Sequence, residues 1–213
     1  WNAVSADDRK QFLTDMCALA AEVSSIYGFG MSFERFNAAC ASGTYTTPCA
    51  GNYWALNGMF VSGLIQKKMQ GKSNNKGLTV LIFDDNKAHM PKVSDGLYLA
   101  EPWFDALYQQ TNKVKGKNQW CELKQPQRFD HIINTAFAIK SQHSSLVQVA
   151  DAVSYVYRRH LELTTQPEAW AGEQAFYAGL VTRLDAKRER LGRTPDAECI
   201  DFYNAVTHPA WAL

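Results

Sequence analysis

The chain has 213 residues, 46% hydrophobic and 20% charged, with 22 Lys plus Arg against 21 Asp plus Glu for a formal net charge of +1. That balance excludes a disordered chain, and thirteen Gly with seven Pro exclude collagen-like and Pro-rich linker sequences. The length suits one domain, with or without an appended subdomain, and near-neutral charge leaves only a local basic patch to argue for nucleic acid.

No apolar run approaches the ~18 residues of a membrane span, so no membrane partner is expected. Trp1-Asn2-Ala3-Val4-Ser5 has neither the basic start nor the apolar core of a signal peptide, and it lacks an initiator Met. Processing, or residues upstream of Trp1, is therefore expected. Cys17, Cys40, Cys49, Cys121 and Cys199 are odd in number and form no C-x-x-C. They read as thiols of a reduced, cytoplasmic protein rather than a disulfide scaffold or zinc ribbon.

In chain order, residues 5–26 predict a helix, with Ser5 as N-cap and Asp7 and Asp8 in the first turn. Phe12, Met16, Leu19, Val23 and Ile26 recur at helical spacing as its apolar face. Tyr27-Gly28-Phe29-Gly30 ends it and leads toward a short strand, and Ser32 caps a second short helix. Residues 42–51 read as a loop, 53–69 as a third helix, and 71–77 as a polar turn.

Residues 78–83, Leu-Thr-Val-Leu-Ile-Phe, form the best strand pattern, nearly continuous in apolar residues as for a strand covered on both faces. It ends in Asp84-Asp85-Asn86. Residues 86–100 read as irregular, 101–110 as a short helix, 111–118 as an exposed loop and 131–139 as a second strand. A strong helix is expected over 146–163 and a long one over 168–191. Thr194-Pro195 opens a last helix over 196–206. The class is mixed α/β, and two or three strands make a thin sheet for so many helices.

Two places could carry chemistry. A carboxylate at the end of a buried strand, such as Asp84, is where α/β folds place ligands, and hard divalent cations favour such oxygen donors. Asp84, Asp85 and Asn86 are equally good turn formers. On the 146–163 helix, Gln148, Asp151, Tyr155, Arg158 and Glu162 recur as a polar stripe opposite the apolar Leu146, Val149, Val153 and Val156. Asp151 sits between Ala150 and Ala152, where the helix surface is lean, and Asp is a poor mid-helix residue. An ordinary solvated face with an Asp–Arg pair explains the stripe as well. His89, His131, His143, His160 and His208 have no metal-ligand spacing, although His143 is five residues before Gln148. Gly28-Phe29-Gly30 lacks the third glycine of a dinucleotide fingerprint, and no phosphate-loop or nucleophile-elbow motif occurs.

Residues 141–155, Ser-Gln-His-Ser-Ser-Leu-Val-Gln-Val-Ala-Asp-Ala-Val-Ser-Tyr, resemble the C-terminal signature of the domain-of-unknown-function family numbered 3800. There a serine-containing loop leads into a helix beginning Leu-Gln-x-Ala-Asp, and Gln148 and Asp151 fall on its Gln and Asp. Residues 78–84 are similar to that family's middle strand ending in Asp. The resemblance spans about residues 5–165, which sets out an RNase H-like domain at 1–165 and a C-terminal helical extension at 166–213.

The resemblance implies an RNase H-like mixed sheet flanked by helices and a metal-dependent nuclease or related phosphodiester hydrolase. Asp84 and Asp151 would be the ligands of Mg²⁺ or Mn²⁺, Gln148 would orient a ligand, water or substrate, and all three would form the catalytic set. The chain departs from the family in two ways. The family's opening strand, ending in Asp-Glu-Ser, has no counterpart before the first helix, and Lys140 stands where an acidic residue is common. A missing N-terminal segment or a decayed site would each account for this, so a catalytically silent binding or regulatory domain is the alternative. A third reading makes the C-terminal helices, with Trp170, Phe176, Tyr177, Phe202, Tyr203 and Trp211, a surface for a protein partner or a second copy, against core packing as the favoured role for most of these rings.

Overall fold

The computed structural model describes residues 4–46, 51–71, 78–85 and 88–211. Residues 47–50 of the expected loop, 72–77 of the polar turn, and Asn86 lie outside them. The order is α1 (Ala6–Val23), β1 (Ile26–Tyr27), α2 (Phe33–Ala41), α3 (Tyr53–Gln70), β2 (Thr79–Asp84), α4 (Met90–Leu99), α5 (Asp105–Tyr108), β3 (Thr111–Val114), β4 (Lys117–Trp120), β5 (Ile132–Ile139), α6 (Ser145–Glu162), α7 (Glu173–Asp185), β6 (Arg188–Glu189) and α8 (Glu198–Val206). This is a mixed α/β chain with small sheets flanked by helices. The described strands pair as β1–β6 and β2–β5, both parallel, and as the antiparallel hairpin β3–β4.

The chain separates into two compact units, one of residues 1–28 and 140–189, the other of 29–139 and 190–212. This division does not run at residue 165. It places α6 and α7 in one unit.

In the first unit α1, α6 and α7 pack on one another. Ser5 caps α1 as its sequence predicts, accepting from the Asp8 amide at 3.1 Å. The buried face of α1 is Leu13, Cys17, Ala20 and Ala21. The expected face is rotated away from it: Phe12, Leu19 and Val23 are exposed. Apolar residues lie on two sides of this helix, and the smaller side chains let α6 and α7 approach closely. Ile26 belongs to β1 rather than to the helix. The expected helix 168–191 is shorter, because Gly172 holds φ 83°, a left-handed conformation that ends any earlier helical run.

In the second unit the core is aromatic. Phe60 on α3 is fully buried and meets Phe29 at 5.0 Å, Tyr203 at 5.3 Å, and Phe104 and Phe202 at 6.3 Å between ring centroids. Phe202 is thus a core residue. Parallel β2 and β5 are joined by a long crossover that holds α4, α5 and the β3–β4 hairpin, as parallel pairing requires. Their register sets Leu81 against Ala136, Ile82 against Phe137 and Asp84 against Ile139.

Leu81 is buried, but Val80, Ile82 and Phe137 are each about half exposed, so this sheet is covered on one face and not on both as its sequence predicts. Neither β2 nor β5 has a second strand neighbour among the described residues. The segment read as irregular and the one read as an exposed loop both hold ordered elements. Residues 90–99 form α4 with Pro in its first turn, and 111–120 form a hairpin turned by Lys115 and Gly116 at φ 49° and 78°. The last helix begins at Glu198, three residues beyond Pro195.

Candidate functional site

Asp84 is the last residue of β2, exposed, beside Ile139 at the end of β5. Its Oδ1 accepts from the Asp85 amide at 3.0 Å, which shapes the turn that leaves the strand. It belongs to the second unit, whereas Gln148 and Asp151 belong to the first.

Within the first unit the serine loop and α6 form one device. Residues 141–143 make a single 3₁₀ turn, and Ser144 caps α6 by accepting from the Val147 amide at 3.4 Å. Gln148 then folds back, its Nε2 donating to the Ser141 carbonyl at 3.1 Å. This ties the loop to the first turns of the helix and fixes the Gln148 amide. Asp151 lies one turn further along. Ser141, Gln148, Asp151, Tyr155 and Arg158 line a cleft of about 580 Å³, closed on the α1 side by Phe12 and Leu13. The sequence periodicity that set these α6 residues in one stripe therefore sets them in one cavity. His143 is exposed, makes a 3.1 Å contact with Gln142, and does not line the cleft.

Sequence reasoning missed the α1 wall. The spacing of Phe12 predicts a core position, and the rotation of α1 places it in the cleft wall instead. It also missed the buried ion pair below α6. Arg159 donates from Nε and Nη2 to Glu173 at 2.8 and 2.9 Å, and the Ala169 amide donates to the same carboxylate at 2.6 Å. Arg159 holds the Glu173 carboxyl below the usual glutamate range against the opposing effect of burial. That pair fixes α7 on α6 and so sets the wall that carries Tyr177. Burial pushes the Tyr177 phenol up, and a hydrogen bond with Tyr155 adds to the shift.

Asp84 and Asp151 are hard oxygen donors, right in kind for Mg²⁺ or Mn²⁺. Among the described residues, however, no group of three or more His, Cys, Asp or Glu stands together that could hold a metal ion. The described residues therefore do not fit a complete two-cation centre, which uses several carboxylates. Among them too, no helix is long and apolar enough to cross a membrane. Comparison of the chain with protein-family models, with curated proteins and with solved structures gives no match.

Proposed function

We propose that this chain belongs to an RNase H-like phosphodiester hydrolase dependent on Mg²⁺ or Mn²⁺, with Asp84, Gln148 and Asp151 as its functional polar residues. The observation that carries this reading is the α6 cleft. Asp151, in the chemically unusual mid-helix position, opens onto a cavity beside a Gln148 whose amide is already fixed by Ser141. The resemblance of residues 141–155 and 78–84 supports the same assignment. Gln148 would hold substrate or water by its amide, and Arg158 would meet a phosphate by charge.

A second reading is favoured by one specific observation, the lack of a three-residue ligand group among the described residues. On that reading the chain is a catalytically silent binding domain. Cleavage assays on single- and double-stranded DNA and RNA with Mg²⁺ or Mn²⁺, paired with calorimetric metal titration, separate the two. Cleavage lost in Asp151→Ala supports the hydrolase. Neither metal binding nor cleavage supports the silent domain.

A further inference from the structure

A second cleft, of about 430 Å³, adjoins the first along α6, and Leu13, Tyr155 and Arg158 line both. Its walls combine two chemistries. Tyr155, Trp170, Phe176 and Tyr177 form a run of rings, with Trp170–Phe176 centroids 5.8 Å apart, Phe176–Tyr177 5.3 Å and Tyr155–Tyr177 6.2 Å. Arg9, Lys10, Arg158 and Arg159 bring four positive charges against the two negative charges of Glu162 and Glu173. Glu173 is consumed by Arg159, and Glu162 is shared between Arg158 and Arg159. The four cations lining the cavity thus outnumber its two carboxylates, with Lys10 also 3.9 Å from Asp7 outside the lining.

The ring faces already carry cations. The Lys10 ammonium lies 4.1 Å from the Trp170 ring centroid, and the Arg158 guanidinium 5.5 Å from that of Tyr155. An aromatic cage for a cationic ligand would need a negative surround. This cavity has the reverse: apolar planar walls with surplus positive charge. Its complement is a planar apolar group joined to an anion, which is the chemistry of a nucleotide. Proteins that hold single strands combine the same parts, a cationic track and aromatic platforms.

We infer that the second cleft is a nucleotide subsite for a single-stranded nucleic acid lying along α6, with the base against the Trp170 and Tyr155 walls and phosphates at Arg9, Lys10 and Arg158. This rests on the hydrolase reading for the neighbouring cleft and deepens it by naming the substrate class. Asp151 and Arg158 are seven residues apart on one helix face, about 10 Å along the axis. The subsite would therefore hold the strand a short way from the Asp151 cleft and set its direction. A duplex, whose bases are stacked and paired, offers no free base to the aromatic walls.

Fluorescence anisotropy with short 5′-labelled single-stranded DNA and RNA, and with matched duplexes, tests this in EDTA, so that binding is read without cleavage. Single strands are expected to bind more tightly than duplexes. Arg158→Glu and Trp170→Ala are each expected to weaken single-strand binding roughly tenfold or more. Arg158→Ala is expected to lower the salt slope by about one. The Arg158 side chain is 68% exposed, so its variants keep the test valid if Trp170→Ala fails to fold. Equal affinity in Arg158→Glu, a preference for duplex, or no binding of either single strand overturns the subsite. Binding in EDTA without cleavage in Mg²⁺ or Mn²⁺ keeps the subsite and rejects the hydrolase. Cleavage with binding unaltered by these substitutions does the opposite.

Discussion

Arg159 and Glu173 form a two-point ion pair at 2.8 and 2.9 Å, with side chains 15% and 5% exposed. Removing one partner of a buried pair leaves the other charge uncompensated. Glu173→Ala also strips the Ala169 amide of its acceptor. The expected loss is about 3 kcal/mol, at the lower end of the usual range because Arg159 keeps Glu162 and Gln166 nearby. Urea denaturation measures it, and a change under about 1 kcal/mol would contradict the role assigned to the pair.

The same pair gives a pH dependence. Arg159 lowers the folded-state pKa of Glu173, so the unfolded chain binds the proton more readily. The pair's contribution is therefore complete above the ordinary glutamate value of about 4.3 and is lost as pH falls through the lower folded value. Glu173→Gln is expected to flatten the acid limb of a stability–pH profile and leave the slope between neutral and weakly acidic pH unchanged. A steeper acid limb in the variant would contradict the sign.

Gln66 is fully buried in α3 and serves three partners. Its Nε2 donates to Asp130 at 2.6 Å and to Gln70 at 3.1 Å, and its Oε1 accepts from the His131 amide at 3.0 Å. It thus anchors the entry to β5, the strand beside the one that ends in Asp84. Gln66→Leu keeps the bulk and leaves the His131 amide without its acceptor, while the exposed Asp130 keeps the His131 ring at 3.9 Å, so a cost of about 2 kcal/mol is expected. Thermal or chemical denaturation reads it, and a neutral or stabilising outcome would contradict this anchoring.

Much of this architecture is legible in the sequence, and the exceptions have physical causes. Ser5, Ser32 and the 53–69 periodicity mark their helices because capping and apolar spacing are local properties. Local pattern does not decide which of two apolar stripes a helix buries. On α1 the partners take the small-residue side of Cys17 and Ala20 and expose Phe12 and Leu19. Nor does it decide whether a strand apolar on both faces is covered on both, as Val80 and Ile82 show. The hairpin at 111–120 has a weak local signature because Lys-Gly, not Asn-Gly, makes its turn. At the candidate site the α6 stripe was readable as spacing. The α1 wall and the Arg159–Glu173 pair are long-range contacts with no local signature.

The buried thiols give a chemical check on both units. Burial pushes Cys17 up to about 11, with Arg183 opposing it, and pushes Cys199 up to about 12. Disulfide exchange proceeds through the thiolate. Near pH 8 both are expected to resist an aromatic disulfide reagent until the chain unfolds, with mass-spectrometric mapping to locate the label. Prompt labelling of Cys17 in the native protein would contradict its place under α6 and α7.

The most direct test of the proposed function is nuclease activity of the chain and its Asp151→Ala variant on single-stranded nucleic acid with Mg²⁺ or Mn²⁺. Asp151 is exposed and Ala is the better helix former, so the variant is expected to fold and to melt at the same or a slightly higher temperature. Cleavage by the parent chain that falls by roughly a hundredfold or more in this folded variant is the expected result. Cleavage unchanged in the variant, or absent from the parent with either metal, would contradict it.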